Sequence, residues 1–373
     1  MIGHNSLALA IAAIAMAAAP LAASAAPAHA AGSPALGAVY TASNDTAANS
    51  ILVFNRLADG RLVPGNSVDT GGRGSGSGLG NQGGVRLTPD ERWLLAVNAG
   101  SDEVSVFGVG ESSLTLTDVV SSGGSQPISV TANGGLVYVV NAGSDSIAGF
   151  RLNPQGHLAT IAGSVRSLGG SGTGPAEIAF SPDGNFLVVT EKNTNQIAVF
   201  PVDRDGVAGA PLVQDAAGTT PFGFAFGKRG QLFVSEAFGG AAGASATSSY
   251  RLGSDGILSV VTPSAPDNES SACWSAISPD GRFAYISNTG SGTISGYRID
   301  FDGQISLIDA DGVTGITGGK PSDLVFTQNG QFLYALAGGT NTLAAFRVQA
   351  DGSLDALPSF TDVPATANGL AVR

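Results

Sequence analysis

Short apolar runs separated by polar turns make up most of the chain, and this pattern predicts β-strands rather than helices. Residues 186–190 form one such run between Gly184 and Lys192, and residues 283–287 form another between Gly281 and Asn288. Apolar runs of this length, with glycine or asparagine at their borders, are typical of buried strands. We therefore expect a protein built of many short strands.

One unit of this pattern recurs along the chain: a strand, a turn, a strand ending in a polar residue, a short loop, and a strand with an aromatic residue near its end. The turn reads Thr-Pro-Asp at residues 88–90 and Ser-Pro-Asp-Gly at residues 181–184 and 278–281. The aromatic residue returns about every 50 residues, at Phe54, Phe107, Phe150, Phe200, Tyr250, Tyr297 and Phe346. Seven copies at such regular spacing indicate a repeat architecture.

A second turn follows most of these aromatic residues. The turn pairs are Asp59-Gly60, Gln155-Gly156, Asp205-Gly206, Asp255-Gly256, Asp302-Gly303 and Asp351-Gly352. A glycine at this place supplies the positive φ that a tight hairpin needs. Each unit is then a four-stranded antiparallel meander, and seven such sheets arranged radially make a seven-bladed β-propeller. A β-solenoid is the alternative, although its coils are shorter than these units.

The two ends of the chain predict how the ring closes. Residues 368–373 have the pattern of a first strand and then stop, whereas residues 38–41 have the pattern of a second strand. Pairing these ends in one blade would leave no open sheet edge in the ring. We expect one blade to be built from both termini.

Composition and charge narrow the function further. Of the 373 residues, 43% are hydrophobic and only 12% are charged, and the net charge is −12. A chain this acidic has no general attraction for nucleic acid, so we expect no nucleic-acid partner. The single cysteine, Cys273, cannot form an internal disulfide, so the fold must be stabilised by packing.

The N-terminal residues have the pattern of an export signal. Residues 7–19 are a short apolar run ended by Pro20, and Ala28-His29-Ala30 follows as a small-residue cleavage signal. This run is too short for a membrane span and is typical of a secretory signal peptide. We predict a signal peptide at 1–30, a propeller at 31–373, and a periplasmic or secreted monomer without a membrane span. A disordered leader or a membrane anchor is the alternative.

Histidine is scarce, which excludes some chemistry. His4 and His29 lie in the predicted signal peptide, and only His157 remains in the rest of the chain. A multi-histidine metal site within one subunit is therefore impossible after cleavage. His157 lies in a second hairpin, where we expect an exposed side chain without a catalytic role.

Candidate site residues fall at repeated positions of the blades. First-strand interiors carry small residues such as Ala179 and Ala225, except that Arg86 stands there in one copy. An arginine near the axis could bind an anion, or its stem could pack between blades with its charge paired. We expect the site on the face that carries the ends of the second strands, because the loops that join the blades also lie there.

The ends of the second strands carry the remaining candidates. Glu191, Lys192 and Glu236 would place two carboxylates and an ammonium group at one mouth of the channel, unless they form only surface ion pairs. Asparagines end other second strands, where they can bind substrate or simply form turns. At the starts of first strands, acidic and aromatic residues would face the same mouth. The residues in these two sets are Asn98, Asn141 and Asn288, and Glu177, Phe222, Trp274 and Asp323.

These motifs resemble the β-propeller lactonase family, which includes propeller-type phosphogluconolactonases and carboxymuconate cyclases. The resemblance is carried by the repeated Ser-Pro-Asp-Gly turns, by residues 137–141 (Val-Tyr-Val-Val-Asn) and by residues 189–193, 220–224, 235–238 and 288–292. It extends over nearly the whole chain after the signal peptide. It implies a metal-free lactonase that uses His, Glu and Arg at the channel mouth, and Glu191 and Arg86 match the last two.

Three functions remain open from the sequence. The first is an exported enzyme that hydrolyses or forms a small sugar-derived or carboxylated lactone, with Glu191 or Glu236 as general base and Arg86 and Lys192 holding the anionic group. The second is a non-catalytic propeller that binds a protein, a glycan or a cell-envelope component, since no histidine stands at the mouth. The third is Ca²⁺-assisted lactone hydrolysis, with the strand-end oxygens as ligands. We expect no cofactor in the first case.

Overall fold

The computed structural model describes residues 1–3, 35–111 and 113–373, so the predicted signal peptide at 1–30 lies outside the described residues apart from its first three positions. The described residues form thirty β-strands in seven antiparallel sheets, each built on a four-stranded meander. This confirms the seven-bladed β-propeller. Within the described ranges, no helix has the length and hydropathy that crossing a membrane would need.

The blades follow one another in chain order, and we number them from the blade that contains both termini. Blade 1 contains β1 (Gly37–Ala42), β2 (Ser50–Arg56), β3 (Leu62–Asp69) and β30 (Asn368–Val372). Blade 2 contains β4 (Val85–Leu87), β5 (Trp93–Asn98), β6 (Glu103–Val109) and β7 (Leu114–Ser121). Blade 3 contains β8 (Pro127–Asn133), β9 (Leu136–Asn141), β10 (Ser146–Leu152), β11 (Leu158–Thr160) and β12 (Arg166–Ser167).

The remaining four blades repeat this order. Blade 4 contains β13 (Pro175–Phe180), β14 (Phe186–Glu191), β15 (Gln196–Pro201) and β16 (Leu212–Asp215). Blade 5 contains β17 (Pro221–Phe226), β18 (Gln231–Glu236), the 3₁₀ turn Phe238–Gly240, β19 (Ala246–Leu252) and β20 (Leu258–Pro266). Blade 6 contains β21 (Ala272–Ile277), β22 (Phe283–Asn288), β23 (Thr293–Ile299), β24 (Ile305–Leu307) and β25 (Gly315–Ile316). Blade 7 contains β26 (Pro321–Phe326), β27 (Phe332–Ala337), β28 (Thr342–Val348) and β29 (Leu354–Phe360).

The ring closes as predicted from the ends of the chain. The C-terminal strand β30 pairs antiparallel with β1, with Val39 opposite Val372 and Tyr40 opposite Ala371. It is the innermost strand of blade 1, and β3 is the outermost. The first strand of the propeller in the chain, β1, is therefore held in place by hydrogen bonds to its last strand, β30.

Apolar packing between blades holds the ring together. The seven repeated aromatic residues all lie in third strands and are buried. They belong to clusters shared by adjacent blades: the one around Phe54 joins blades 1 and 7, and the one around Phe200 joins blades 3 and 4. Because each blade buries its faces against its neighbours, apolar clusters follow one another around the ring.

Three tyrosines tie neighbouring blades together through the glycine hairpins. Tyr138 donates a hydrogen bond to the carbonyl of Gly206 at 2.7 Å and accepts one from the backbone N–H of Ala208 at 2.9 Å. Tyr285 donates to Gly352 and Tyr334 donates to Gly60 in the same way. These glycines have positive φ, as the turn chemistry predicts. The repeated hairpins are thus also contacts between blades.

Candidate active site

An ion pair lies at the axis of the propeller. Arg86 in β4 contacts Glu177 in β13, with 2.8 Å between Arg86 Nη2 and Glu177 Oε1. The Arg86 side chain is 36% exposed and that of Glu177 is 1% exposed, so the guanidinium faces the channel and covers the carboxylate. Arg86 Nε is buried and has no hydrogen-bond partner among the described residues, so the exposed part of the side chain lies at its other atoms. That exposed part is what a ligand in the cavity can contact.

Sequence and local structure explain why these two residues meet. Arg86 pairs with Leu95 of the second strand of its blade, and Ala179 pairs with Val188 at the equivalent position of blade 4. The arginine therefore projects where blades such as blade 4 carry alanine. Glu177 falls in a β-bulge, where the pairing register shifts between Pro175 and Ile178. A bulge re-aims a side chain. The bulge turns the Glu177 side chain toward the axis. The alternation of side chains along a regular strand would not predict this orientation.

Burial changes the acidity of Glu177. Its Oε2 accepts a hydrogen bond from the backbone N–H of Phe224 at 2.8 Å, and its Oε1 accepts one from Arg86. Desolvation raises the pKa of Glu177 to about 7, although Arg86 and the Phe224 N–H oppose the rise. Near neutral pH, Glu177 can therefore both take up and release a proton.

Asp323 is a second buried carboxyl group beside Arg86. It lies in the bulge of β26 with φ of 98°, a region that glycine prefers, and its Oδ1 accepts a hydrogen bond from the backbone N–H of Leu324 at 2.9 Å. Burial raises the pKa of Asp323 to about 7, against the attraction of Arg86. Asp323 is thus a second acid near the guanidinium.

A cavity of about 390 Å³ lies above this ion pair. Arg86, Glu177 and Gln82 line its deep end, and the last residues of the first strands line its wall as far as the Ser-Pro-Asp-Gly turns. The cavity therefore opens on the face that carries these turns. The sequence analysis favoured the opposite face, where the second strands end.

The opposite face is closed along the axis by the segment 80–82. Gln82 reaches across the channel, where its Nε2 donates to the carbonyl of Ser275 at 2.8 Å and its Oε1 accepts from the Ser275 N–H at 3.0 Å. The side chains of Asn81 and Asn368 bond to each other beside it. Gly223 makes room for Gln82, because a Cβ at Gly223 would overlap Gln82 Oε1. We call residues 80–82 the axial plug.

The axial plug also brings together three of the predicted substrate-binding residues. Lys192 Nζ donates to the carbonyls of Gly80 and Pro175 and lies 4.9 Å from the centre of the Phe222 ring. The Phe222 ring lies 5.2 Å from the Trp274 ring, and Trp274 Nε1 donates to the carbonyl of Asn81. Burial lowers the pKa of Lys192 to about 8. The axial plug thus lies near the end of the Gly/Ser-rich segment 71–84, and these contacts hold it on this face.

Glu191 and Glu236 lie within their own blades and do not line the axial cavity. Glu236 Oε1 accepts from Ser248, and its Oε2 accepts from Ser264 at 2.6 Å. Glu191 Oε2 accepts from Thr194 at 2.8 Å, while its Oε1 is buried without a partner among the described residues. Burial raises the pKa of both carboxyl groups. The structure therefore does not bring them together with Arg86 in one cavity.

The three strand-end asparagines make contacts within the fold. Asn98 Oδ1 accepts from Thr70 at 2.7 Å, and its Nδ2 donates to Ser105 at 2.8 Å. Asn141 donates to the Ser122 carbonyl in the connection before blade 3, whereas Asn288 donates to Ser295 within blade 6. All three are fully buried, and none of them lines the axial cavity.

Two further observations bear on the predicted chemistry. His157 is exposed and lies 3.8 Å from Asp118, on a hairpin away from the cavity. Among the described residues, no group of three or more His, Cys, Asp and Glu side chains is placed to hold a metal ion.

Sequence reasoning missed Gln82 and the apolar wall of the cavity. Gln82 gave no signal, because it belongs to a glycine-rich segment without a repeat partner. The wall residues did give one: Phe180, Phe226, Ile277 and Phe326 each directly precede the turn that ends a first strand. Aligning that position across the blades would have shown a ring of large apolar side chains at one end of the channel.

Comparison with known proteins agrees with this fold. Over 116 residues, the chain is 33% identical to a 6-phosphogluconolactonase from Pectobacterium atrosepticum, a match that covers 31% of this chain and 33% of that protein. Over 79 residues, it is 37% identical to a 6-phosphogluconolactonase from Bacillus subtilis, covering 21% of this chain and 22% of that protein. These matches thus span a third or less of each relative's length.

A solved structure matches almost the whole chain. The structure of a candidate 6-phosphogluconolactonase from Bacteroides fragilis aligns with a TM-score of 0.73 at 21% identity, over 91% of this chain and 100% of that one. At this identity the likeness concerns the fold. The family described as "Lactonase, 7-bladed beta-propeller" matches residues 10–167, 157–237 and 254–368. Because these segments cover most of the chain, the protein belongs to the seven-bladed β-propeller lactonase family.

Proposed function

We propose that this protein is a lactone hydrolase whose reaction takes place at the deep end of the axial cavity, on Arg86 and Glu177. Family membership supports the reaction class. The observation that carries the location is the Arg86–Glu177 pair, a partly free guanidinium on a buried carboxylate at the end of an open cavity. A cavity of about 390 Å³ is large enough for a small ring-shaped ligand.

Arg86 is the group that binds the lactone carbonyl. Its side chain lines the cavity and is 36% exposed, while Glu177 occupies only Nη2. A guanidinium that donates to the carbonyl oxygen stabilises the negative charge that forms when water attacks, an effect worth roughly a hundredfold or more in rate. Glu177 holds the guanidinium in place, so little reorganisation is needed during the reaction.

Glu177 is the general base. It lines the cavity, and its pKa of about 7 suits proton transfer near neutral pH. It takes a proton from water as the water oxygen bonds to the carbonyl carbon, giving a tetrahedral oxyanion held by Arg86. The ring C–O bond then breaks, and the proton on Glu177 passes to the departing alkoxide. Water is consumed, a hydroxy acid is released, and Glu177 returns to its carboxylate form.

Four variants test this assignment against the one made from sequence. Glu177→Gln and Arg86→Gln should each lower kcat/KM on a hydrolysed lactone by about a hundredfold or more. Glu191→Gln and Glu236→Gln are matched controls, because they remove an equally buried carboxylate outside the cavity. Acid release in a pH-stat, corrected for spontaneous hydrolysis, measures the rates. If Glu191→Gln or Glu236→Gln lost the activity while Glu177→Gln kept it, the base would lie at the strand ends and our assignment would be wrong.

The same assay separates the two other functions. A wild-type protein that hydrolyses no lactone above the background rate would favour the non-catalytic propeller, for which the closed strand-end face offers a surface for partners. Loss of activity with a chelator, restored by Ca²⁺, would favour calcium-assisted hydrolysis. The reaction proposed above uses side chains alone, so it predicts full activity in the presence of the chelator.

We further propose that the protein is exported. The support is the apolar run at residues 7–19 and the small-residue signal that ends at Ala30. Expression of the full chain in a bacterium, followed by cell fractionation and N-terminal sequencing, tests this directly. We expect a periplasmic or secreted protein that begins near Ala31, whereas an intact N-terminus in the cytoplasm would contradict export.

A further inference from the structure

The wall of the axial cavity between its charged end and solvent is mostly apolar, with Thr131 among its polar residues. Six residues at the ends of first strands form this wall, which we call the vestibule: Leu87, Phe180, Phe226, Ile277, Val325 and Phe326. They come from blades 2, 4, 5, 6 and 7, so the apolar surface extends around most of the channel. A ligand whose ring contacts Arg86 would have its substituents among these side chains.

The vestibule is partly exposed and firmly supported. Phe226, Val325 and Phe326 are neither buried nor fully exposed. The Phe226 ring lies 5.9 Å from that of Phe224, and the Phe326 ring lies 5.5 Å from that of Tyr285. Apolar surface held open in this way can be removed from water by an apolar group without rearrangement of the protein, which favours binding of such a group.

The charges below the vestibule disfavour a second anionic group on the ligand. Among the described residues, Arg86 is the only lysine or arginine that lines the cavity, and it already pairs with Glu177. Asp323 lies beside the same guanidinium. A phosphate or carboxylate substituent would thus find two acids, one shared cation and an apolar wall. The hydroxyl groups of a sugar ring would likewise face carbon atoms and lose hydrogen bonds to water.

We propose that the substrate is a lactone with an apolar substituent, whose ring lies on Arg86 and whose alkyl or aryl group fills the vestibule. This inference rests on the proposed function, since it takes Arg86 as the group that binds the lactone carbonyl. It names a different substrate class from the sugar-derived or carboxylated lactone that the sequence suggested.

A substrate series tests the inference on the wild-type full chain. The series consists of γ-butyrolactone, γ-lactones with unbranched alkyl groups of increasing length, gluconolactone and 6-phosphogluconolactone. We expect kcat/KM to rise about threefold to fourfold for each buried methylene until the chain reaches solvent. We expect both sugar lactones to be poorer substrates than the longer alkyl lactones.

The outcomes distinguish the inference from the proposed function. Hydrolysis of no member of the series would contradict the proposed function itself. Hydrolysis without dependence on alkyl length, or with a preference for the phosphorylated lactone, would overturn the inference and leave the proposed function intact. The wild-type series gives this answer without any variant.

One variant then locates the substituent. Val325→Asn places an amide in the vestibule wall, and Val260→Asn makes the same change on the outer strand β20, where Val260 is exposed. We expect Val325→Asn to lower the ratio of kcat/KM for a long alkyl lactone to that for γ-butyrolactone by about tenfold, mainly through KM. Val260→Asn should leave this ratio unchanged. An unchanged ratio in folded Val325→Asn would show that the substituent lies elsewhere and would overturn the inference.

Discussion

The buried carboxyl group of Glu177 should make the stability of the protein depend on pH. An unfolded glutamate ionises near its ordinary pKa of 4.5, whereas the folded protein holds the pKa of Glu177 at about 7. Between these values the folded chain binds more protons than the unfolded chain, so the free energy of unfolding falls as the pH rises. A difference of this size corresponds to about 3 kcal/mol. This contribution is fully present below pH 4.5 and is lost as the pH rises through 7.

Glu177→Gln removes this proton linkage and keeps the size of the side chain. We expect the free energy of unfolding of the wild type to fall between pH 5 and pH 8 by about 3 kcal/mol more than that of the variant. Asp323 contributes pH dependence of the same sign to both proteins, because its pKa is also raised to about 7. The comparison between wild type and variant therefore reports Glu177 together with any change that its removal causes at Asp323, because the two acids interact and share Arg86.

Urea unfolding followed by tryptophan fluorescence at pH 5 and pH 8 measures the effect. Glu103→Gln is a control, because it removes a carboxylate from the partly exposed start of β6. It should keep the wild-type difference between the two pH values. If Glu177→Gln also kept the full wild-type difference, Glu177 would not be a proton-binding group of the folded state, and its proposed role as a base near neutral pH would lose its physical basis.

The structure predicts the outcome of three other experiments. As the pH rises through about 7, kcat/KM should increase to a plateau, because the general base Glu177 must lose its proton; a rate independent of pH between 5 and 8 would contradict this. Gln82→Ala should lower the free energy of unfolding by about 2 to 4 kcal/mol in urea titrations, because it leaves both backbone groups of Ser275 unpaired at the axis. Tyr138→Phe should lower the free energy of unfolding by about 2 kcal/mol and Tyr285→Phe by about 1 kcal/mol. The reason is that, of these two hydroxyl groups, only that of Tyr138 both donates and accepts a backbone hydrogen bond. Equal midpoints for the two tyrosine variants in thermal unfolding would contradict this last prediction.

Much of the fold could be predicted because its signals are local. The spacing of residues such as Phe107 and Phe200, and glycines such as Gly206, report strand length and turn chemistry within one blade. The closure of the ring was also predictable, since the incomplete pattern at each end of the chain matches the other. The strand and turn inferences need only hydrogen bonding and burial along a stretch of about 50 residues, whereas the closure of the ring follows from comparing the patterns at the two ends of the chain.

The candidate site was predictable only in part. The sequence singled out Arg86 by its residue type in a first-strand interior, and it placed Glu177 and Asp323 among the residues at the starts of first strands, facing the other mouth. It did not show that bulges turn the two acids toward Arg86, because a bulge shifts the alternation of side chains without a clear local signature. It also favoured Glu191 and Glu236, whose serine and threonine partners become visible only when the blade is folded.

The sequence by itself determined the strands, the turns, the number of blades and the pairing of the termini, because periodicity and backbone preference act over short distances. The tertiary structure alone decided which face of the channel is open. That outcome depends on Gln82 meeting Ser275 and Gly223, which are far apart in the chain and approach each other only when the ring closes. The same closure brings Arg86 into contact with Glu177. It thus decides which carboxyl group shares the cavity with Arg86.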